Sequence, residues 1–357
     1  MLLTIDANYS LIVSRYSHFL FFGMNWLQTT TTDSNSMANP STVKQNKIAI
    51  IGECMIELSG KPFASQTQNF GGDTLNTAVY LSRLLPSLIP SYVTAVGADT
   101  YSKMMLSAWE SEGVDASLTL VNPDKLPGMY AIEIDDDGER SFHYWRNDSA
   151  ARYLCEHEDF NDVVSSLKSV DLVYLSGISL AILPDHGKVK LLNTLAQLKS
   201  SGVKIAVDSN YRPRLWRNAT DACEWLGKLY QLSDIALVTA DDEELLLGRK
   251  LSEPQVIARR LHSLGIKQVV VKLGSDGAMW SQAGNQGVVS GNKVTQVIDT
   301  TAAGDSFNAA YLAAWCSGME MAECCYWGNK LAAQVIQHKG AIIPVEQTRY
   351  ITELMSD

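Results

Sequence analysis

The sequence is poor in basic residues. Its 357 residues include 29 Lys and Arg against 39 Asp and Glu, which gives a formal net charge of −10. Nucleic acids and anionic membrane surfaces attract proteins through a positive field, so this balance predicts neither as a partner. Any anionic ligand must therefore be held by a local cluster of positive groups. The length suits one large α/β domain or two smaller ones.

Cysteine spacings that bind metals or form redox motifs are absent. The six cysteines include no Cys-x-x-Cys pair, and no Cys/His pair has the spacing of a zinc site. Most of them lie in apolar stretches, where a free cysteine behaves as a small hydrophobic residue. Reduced thiols in a cytoplasmic protein are the simplest interpretation.

A long uninterrupted apolar run is also missing. Residues 9–27 are aromatic and apolar, but polar and basic residues interrupt them, whereas a membrane-spanning helix needs about 20 largely apolar residues. A signal peptide needs a basic start, and here Asp6 precedes the apolar part. We therefore expect residues 1–45 to be an extension outside the folded domain, either disordered or upstream of a later start at Met37, and we predict no membrane association.

Short apolar runs alternate with helical patterns from Lys47 onward. Strands that are buried on both faces have this character, and such alternation predicts a doubly wound, mostly parallel α/β sheet. The strand-like runs are Ile48 to Ile51, Tyr92 to Val96, Leu172 to Leu175, Val203 to Val207, Ile235 to Val238, Val269 to Lys272 and Val294 to Ile298. The helical patterns are Thr74 to Leu85, Val189 to Leu198 and Val256 to Leu264. In such sheets ligands bind at the carboxyl ends of the strands.

One segment, within residues 127–146, departs from this alternation. Met129 to Ile134 and Arg140 to Trp145 alternate apolar and polar residues around the acidic turn Asp135 to Glu139. This pattern predicts a β-hairpin. Inside a parallel α/β chain such a hairpin is either an edge decoration or a lid over a ligand site.

The residues that follow the last strand-like run carry a phosphate-binding pattern. Asp299 to Asp305 read Asp-Thr-Thr-Ala-Ala-Gly-Asp and open a helical run. The small residues Ala302, Ala303 and Gly304 let backbone N–H groups approach a ligand at a helix N-terminus, which favours an anion. Asp305 in the first turn is placed to act as a general base in phosphoryl transfer. The alternative is that Asp305 merely caps the helix while the alanines pack.

A Gly-Gly element precedes the first helical pattern. Residues Phe70 to Ala78 read Phe-Gly-Gly-Asp-Thr-Leu-Asn-Thr-Ala. Gly71 and Gly72 permit close backbone approach to a sugar, and Asn76 offers both donors and acceptors to hydroxyl groups. Taken alone, such a turn is more often structural.

Together the two elements resemble the ribokinase-like carbohydrate kinases, the PfkB family, whose signature is usually Asp-Thr-x-Gly-Ala-Gly-Asp. Most members have Gly where this sequence has Ala302. An alanine at this position resembles the branch that phosphorylates 2-keto-3-deoxygluconate, and similarity to that branch extends from Lys47 to Pro344. The resemblance implies a kinase domain over 46–357 with a small β-lid, and ATP and Mg²⁺ as cosubstrate and metal. A P-loop fold is not expected, because no Walker A pattern occurs.

The resemblance also implies roles for individual residues. The residues expected at ATP are Lys272, Gly274, Gly277, Ala302, Ala303, Gly304 and Asn329. Those expected at the sugar are Gly72, Asp73, Asn76, Tyr144, Arg146 and Arg212, with Asp305 as the base. A sugar acid needs its carboxylate neutralised, and the forked guanidinium of arginine suits that task.

For Mg²⁺ the family often uses an Asn-x-x-Glu element, and Asp241 to Glu244 occupy that place. Asp241 replaces the Asn, which keeps the site acidic and compatible with Mg²⁺ through Asp241 and Glu244. The alternative is a solvated acidic helix start that is favoured by the helix dipole.

The expected activity is ATP-dependent phosphorylation of 2-dehydro-3-deoxygluconate (2-keto-3-deoxygluconate) at O6. One alternative is a kinase of the same family that acts on a neutral sugar such as fructose or ribose, and another is a sugar-acid sensor without catalysis. A dinucleotide oxidoreductase is disfavoured, since no Gly-x-Gly-x-x-Gly follows the first strand. Because lids of this family often pair between subunits, a homodimer or a higher homo-oligomer is expected.

Overall fold

A computed structural model of the chain describes residues 46–134, 140–251 and 253–356. The predicted extension 1–45 and the predicted turn Asp135 to Glu139 lie outside the described residues. The strands are β1 (Ile48–Ile51), β2 (Met55–Ser59), β3 (Thr67–Gly71), β4 (Ser91–Val93), β5 (Ala95–Val96), β6 (Leu120–Val121), β7 (Gly128–Ile134), β8 (Arg140–Trp145), β9 (Leu172–Ser176), β10 (Lys204–Asp208), β11 (Ile235–Thr239), β12 (Gln268–Lys272), β13 (Ala278–Gln282) and β14 (Asn285–Val289). The α-helices are α1 (Asp73–Leu84), α2 (Thr100–Ser111), α3 (Phe160–Leu167), α4 (Gly177–Ala181), α5 (Asp185–Ser200), α6 (Ala219–Leu232), α7 (Ala240–Leu247), α8 (Pro254–Ser263), α9 (Ala303–Cys316), α10 (Met321–Val335) and α11 (Glu346–Ser356).

The central sheet is eight-stranded and mostly parallel, as the sequence predicted. Its strand order is β14-β13-β12-β11-β10-β9-β1-β4. The strands from β12 to β4 run parallel, whereas β13 and β14 form an antiparallel edge. All the parallel strands therefore end at the same edge of the sheet, which is where a ligand site is expected.

Helices cover both faces of this sheet, so its strands are buried on both sides. Successive residues of β1 belong to different cores: Ile51 packs in one with Leu195 of α5, and Ile50 packs in the other with Leu75 of α1 and Tyr311 of α9. This two-sided burial explains why the strands read as continuous apolar runs. No helix among the described residues is long and apolar enough to span a membrane.

The predicted hairpin is confirmed and forms part of a second, four-stranded sheet. Strands β7 and β8 pair antiparallel from Met129 opposite Trp145 to Ile134 opposite Arg140. With β2 and β3 they form a sheet of order β3-β2-β7-β8, which we call the lid sheet. Strand β2 begins only four residues after β1 ends, so the lid sheet rises directly from the carboxyl edge of the central sheet.

Two strand predictions need correction. Val294 to Ile298 form no strand, and Val297 and Ile298 are about half exposed, at 53% and 52%. The segment is tied instead to the end of α10, where the Ile298 N–H donates to the Ile336 carbonyl at 2.8 Å. The run Tyr92 to Val96 divides into β4 and β5, because β5 pairs with β6 in a separate two-stranded sheet. Short apolar runs do not reveal which partner they pair with.

Candidate active site

A cavity of about 710 Å³ lies at the carboxyl ends of the central strands, below the lid sheet. It brings together most of the residues that the sequence singled out. The predicted site residues that line it are Gly72, Asp73, Asn76, Tyr144, Arg146, Arg212, Asp241, Lys272, Ala302, Ala303, Gly304 and Asp305. Its lid side is lined by three aromatic rings, those of Tyr130, Phe142 and Tyr144, whose centroids lie 5.8–6.4 Å apart.

The N-terminus of α9 opens into this cavity. The Ala303 N–H donates to the Thr300 carbonyl at 3.2 Å, whereas the N–H groups of Gly304 and Asp305 in the first turn have no acceptor within the helix and are available to an anion. Ala302 precedes the helix with φ +60° and ψ +16°, a left-handed conformation that glycine adopts at little cost. This geometry explains why glycine is the usual residue here in the family that the motif resembles.

Asp305 stands in the first turn of α9 and faces the cavity. The side-chain amide of Asn76 donates to its carboxylate at 2.8 Å, and the Thr77 hydroxyl donates to its carbonyl at 3.2 Å. Burial, reinforced by the negative charge of Asp73, raises the pKa of Asp305 to about 7, against the lowering effect of the Asn76 hydrogen bond. A carboxyl group with such a pKa suits a general base near neutral pH.

Asp73 begins α1 and lies on the same wall. Its carboxylate accepts a hydrogen bond of 2.6 Å from the Asn210 side-chain amide. Asn210 has φ +34°, and backbone strain of this kind is commonly found at functional sites. Gly72 precedes Asp73 and packs tightly against the connection between β1 and β2. A Cβ on Gly72 would lie 2.1 Å from the Glu53 carbonyl oxygen. The wall therefore requires glycine at position 72.

Arg146 follows β8 and is buried rather than on the surface. A guanidinium N–H of its Nη2 donates to the Glu53 carboxylate, which also accepts from the Ser149 hydroxyl at 2.5 Å. The side chains of Arg146 and Glu53 are 9% and 1% exposed. Both residues line the cavity, so a cationic group lies beneath the lid sheet.

Arg212 lines the cavity from the segment after β10 and is more loosely held. Its guanidinium lies 3.4 Å from the Asp242 carboxylate and donates to the Tyr211 carbonyl at 3.2 Å. The side chain is 54% exposed, so it keeps donors for a ligand. Burial and the nearby charge of Asp208 raise the pKa of Asp242.

Lys272 ends β12 and is part of a buried network. Its ammonium donates to the Asp208 carboxylate at 2.7 Å and to the Asn308 side-chain oxygen at 3.1 Å. The Asn308 amide in turn donates to Asp208 at 2.6 Å and to the Tyr174 hydroxyl at 3.0 Å. A Cβ on Gly304 would lie 3.4 Å from the Lys272 ammonium. A fixed positive charge therefore lies directly behind the N-terminus of α9.

Three residues that the resemblance places at ATP do not line this cavity. Gly274 and Gly277 lie in the turn between β12 and β13, where a Cβ on Gly277 would lie 2.1 Å from the Val289 carbonyl oxygen. Asn329 of α10 donates to the carbonyls of Val289 and Ser290 at 3.1 and 3.2 Å. Gly277 and Asn329 therefore meet at the end of β14, and Gly274 begins the turn that contains Gly277.

Of the two predicted metal ligands, Asp241 and Glu244, only Asp241 lines the cavity. The Glu244 carboxylate instead accepts a hydrogen bond of 2.8 Å from the Leu251 N–H, in the segment that follows α7. Glu244 does not line the cavity, and its role as a metal ligand stays a prediction of the sequence. Within 46–134, 140–251 and 253–356 no cluster of three or more metal-binding side chains forms.

Sequence reasoning missed four residues of the cavity that carry a carboxylate or an amide group. Glu53, Asp208 and Asp242 each end a strand or follow one within three residues, so a systematic search of the strand ends would have found them. Asn210 follows β10 by two residues, so the same search would have found it as well, although its strained φ leaves no signal in the sequence.

A carboxylate of raised pKa lies beside a helix N-terminus that is backed by Lys272, so a hydroxyl group and a phosphate can meet at one point. On a doubly wound sheet with a β-lid, this is the arrangement of a ribokinase-like small-molecule kinase. Residues 45–348 match the pfkB family carbohydrate kinases, and the chain belongs to this family. The protein is an enzyme, a sugar kinase.

Similar proteins are found at two levels of resemblance. The chain is 48% identical over 301 residues to a 2-dehydro-3-deoxygluconokinase of Haemophilus influenzae, covering 83% of this chain and 95% of the relative. It is 47% identical over 306 residues to the 2-dehydro-3-deoxygluconokinase of Escherichia coli, covering 84% and 98%. A crystal structure of 2-dehydro-3-deoxygluconokinase from Thermotoga maritima superposes with a TM-score of 0.75 at 20% identity over 88% of this chain and 99% of that one, a likeness of fold.

Proposed function

We propose that the enzyme transfers the γ-phosphate of ATP to O6 of 2-dehydro-3-deoxy-D-gluconate, giving 2-dehydro-3-deoxy-6-phospho-D-gluconate and ADP. The observation that carries this proposal is the position of Asp305 at the N-terminus of α9, in the same cavity as two arginines. The names of the relatives that are 47–48% identical over more than four fifths of the chain support the same substrate.

In the proposed mechanism Asp305 accepts the proton of the O6 hydroxyl as the O6–phosphorus bond forms and the bond from phosphorus to the β-phosphate oxygen breaks. The first-turn N–H groups of α9 stabilise the negative charge on the transferred group. Phosphoryl transfer depends mainly on positioning and charge neutralisation, so a carboxylate is an adequate base. Lys272 adds a positive charge behind the same turn.

Arg146 and Arg212 would bind the carboxylate of the sugar acid, and Asp73 and Asn76 would bind its hydroxyl groups. Both arginines line the cavity, and Arg212 is half exposed. A neutral sugar would offer these guanidinium groups no anionic ligand for their remaining donors, and specificity arises from donors that are left unsatisfied.

Mg²⁺ would be held by Asp241 and Asp242 together with the nucleotide phosphates. Both carboxylates line the cavity, and the pKa of Asp242 is raised by burial and by Asp208, a repulsion that a cation would relieve. When bound, the ion neutralises phosphate charge. The nucleoside part of ATP would lie along Gly274, Gly277 and Asn329, of which the last two contact the end of β14.

A coupled assay of ADP release with a panel of acceptors tests the proposal. We expect 2-dehydro-3-deoxygluconate to give a kcat/KM far above those of gluconate, fructose and ribose. Release of ADP with fructose or ribose at an equal kcat/KM would reject the sugar acid. Binding of the acid without ADP release would identify a sensor. The cytoplasmic location and a homodimer or higher homo-oligomer remain predictions of the sequence.

A further inference from the structure

The contact between Glu53 and Arg146 joins three parts of the chain at the cavity. Glu53 follows β1 of the central sheet, Arg146 follows β8 of the lid sheet, and Ser149 lies just beyond. One oxygen of the Glu53 carboxylate accepts from Arg146 Nη2, and the other accepts from the Ser149 hydroxyl at 2.5 Å. Both oxygens of the carboxylate are therefore used within the protein.

Arg146 is left with an unused donor. Its Nε is buried and has no hydrogen-bond partner among the described residues. The guanidinium group has five N–H donors in a planar fork, and one carboxylate does not satisfy all of them. A buried donor without a partner is rare in proteins and calls for an explanation. Because Arg146 lines the cavity, a ligand carboxylate there can pair with this guanidinium, which Glu53 satisfies only in part.

The surrounding chain leaves room for this pair. A Cβ on Gly128 would lie 2.9 Å from the Glu53 carboxylate and 3.2 Å from Cβ of Arg146. Any larger residue at position 128 would push the two side chains apart. The absence of a side chain at the start of β7 therefore keeps Glu53 and Arg146 in contact.

We propose that Glu53 is a positioning residue that fixes the Arg146 guanidinium toward the carboxylate of the sugar acid and so sets the preference for an acid. This inference rests on the proposed function. A flexible arginine would lose rotamer freedom on binding the ligand, whereas a guanidinium that is already held by Glu53 loses little. Glu53 acts through Arg146 and does not itself contact the ligand.

Steady-state kinetics of Glu53 variants provide the first test. We expect Glu53→Ala to raise KM for the sugar acid at least about tenfold, as truncation of a buried charge pair does, with kcat and KM for ATP nearly unchanged. Glu53→Gln keeps an acceptor oxygen and should restore KM to within about threefold of the wild type.

The matched control is Glu112→Ala. Glu112 forms another partly buried pair, with Arg83, through two hydrogen bonds of 2.8 Å, and neither residue lines the cavity. This variant should leave KM for the sugar acid unchanged. An equal rise of KM for the acid and for ATP in Glu53→Ala would indicate a general structural effect and overturn the inference, as would an unchanged KM.

A double-substitution cycle gives a second test. In an Arg146→Ala background Glu53 remains as an unpaired buried anion that repels the ligand carboxylate, so adding Glu53→Ala should lower KM or leave it unchanged. If the two substitutions instead raise KM multiplicatively, the residues act independently and the inference is wrong. If the wild type itself fails to phosphorylate the sugar acid, the proposed function and this inference fall together.

Discussion

The side-chain amide of Asn76 lies 2.8 Å from the carboxylate of Asp305, although 229 positions separate the two residues in the chain. Asn76 belongs to α1 and Asp305 to α9, two helices that pack on the same face of the central sheet. The hydrogen bond orients the carboxylate toward the cavity and stabilises its charged form, while burial and Asp73 oppose that charge. The balance of these effects is what makes Asp305 suitable as a base.

Replacing the proposed base should abolish turnover without abolishing nucleotide binding. Asp305→Asn keeps the size of the side chain but cannot accept the proton, so we expect kcat to fall about 10²–10⁴-fold while the Kd for ATP changes little. Asp162, in the first turn of α3 and away from the cavity, offers a matched control, and Asp162→Asn should retain full activity. Near-wild-type turnover in Asp305→Asn would show that another group takes the proton.

The raised pKa of Asp305 predicts how activity depends on pH. The base must be deprotonated, so kcat/KM should rise with pH through an acidic limb centred near 7, the pKa of Asp305. The charge of Asp73 contributes to that raised pKa. Asp73→Asn should therefore move the limb to lower pH, whatever its effect on the maximum rate. A limb that stays in place, or moves to higher pH, would contradict this electrostatic explanation.

The same shift carries a prediction for stability. Because the pKa of Asp305 is higher in the folded state than the usual carboxyl value, the folded state holds a proton that the unfolded state releases between about pH 4 and 7. The contribution of Asp305 to stability is therefore lost as the pH rises through 7. Asp305→Asn should raise the melting temperature at pH 8 relative to the wild type, but not at pH 4. A lower melting temperature at pH 8 would contradict this prediction.

The left-handed backbone of Ala302 predicts a stabilising substitution. Ala302→Gly should raise the free energy of unfolding by about 1 kcal/mol, because glycine adopts φ +60° without strain. Ala283, with φ +51° in the turn between β13 and β14, is a matched position away from the cavity. Urea unfolding of both glycine variants should show similar gains. A loss of stability in Ala302→Gly would mean that its methyl group makes contacts that outweigh the strain.

The buried network behind α9 predicts a large cost for losing one partner. Lys272→Met leaves the Asp208 carboxylate buried without its cation and should lower the free energy of unfolding by about 3–5 kcal/mol. Lys228→Met removes an exposed ion pair with Glu224 and should cost no more than about 1 kcal/mol. Comparable losses in urea unfolding would mean that Asp208 does not depend on Lys272. Loss of turnover in Lys272→Met at a temperature where it stays folded would support its proposed role behind the phosphate.

Local sequence patterns were sufficient for the framework of the fold. The runs around β1, β9, β10, β11 and β12 are apolar because both faces of each strand are covered, and that requirement is visible in the residues themselves. The hairpin of β7 and β8 was likewise predicted from the alternation of apolar and polar residues along both strands. Val294 to Ile298 failed as a strand, since strand pairing needs a partner and this segment is tied to the end of α10.

The sequence by itself determined the doubly wound sheet, the lid hairpin and the small-residue turn before Asp305, because each depends on neighbours along the chain. Only the tertiary structure decided what charges surround these residues. It paired Arg146 with Glu53, placed Lys272 against Asp208 and directed Glu244 away from the cavity. The physical reason is that electrostatic interactions act over distances in space, and groups that are far apart in sequence meet only when the strands and helices have packed.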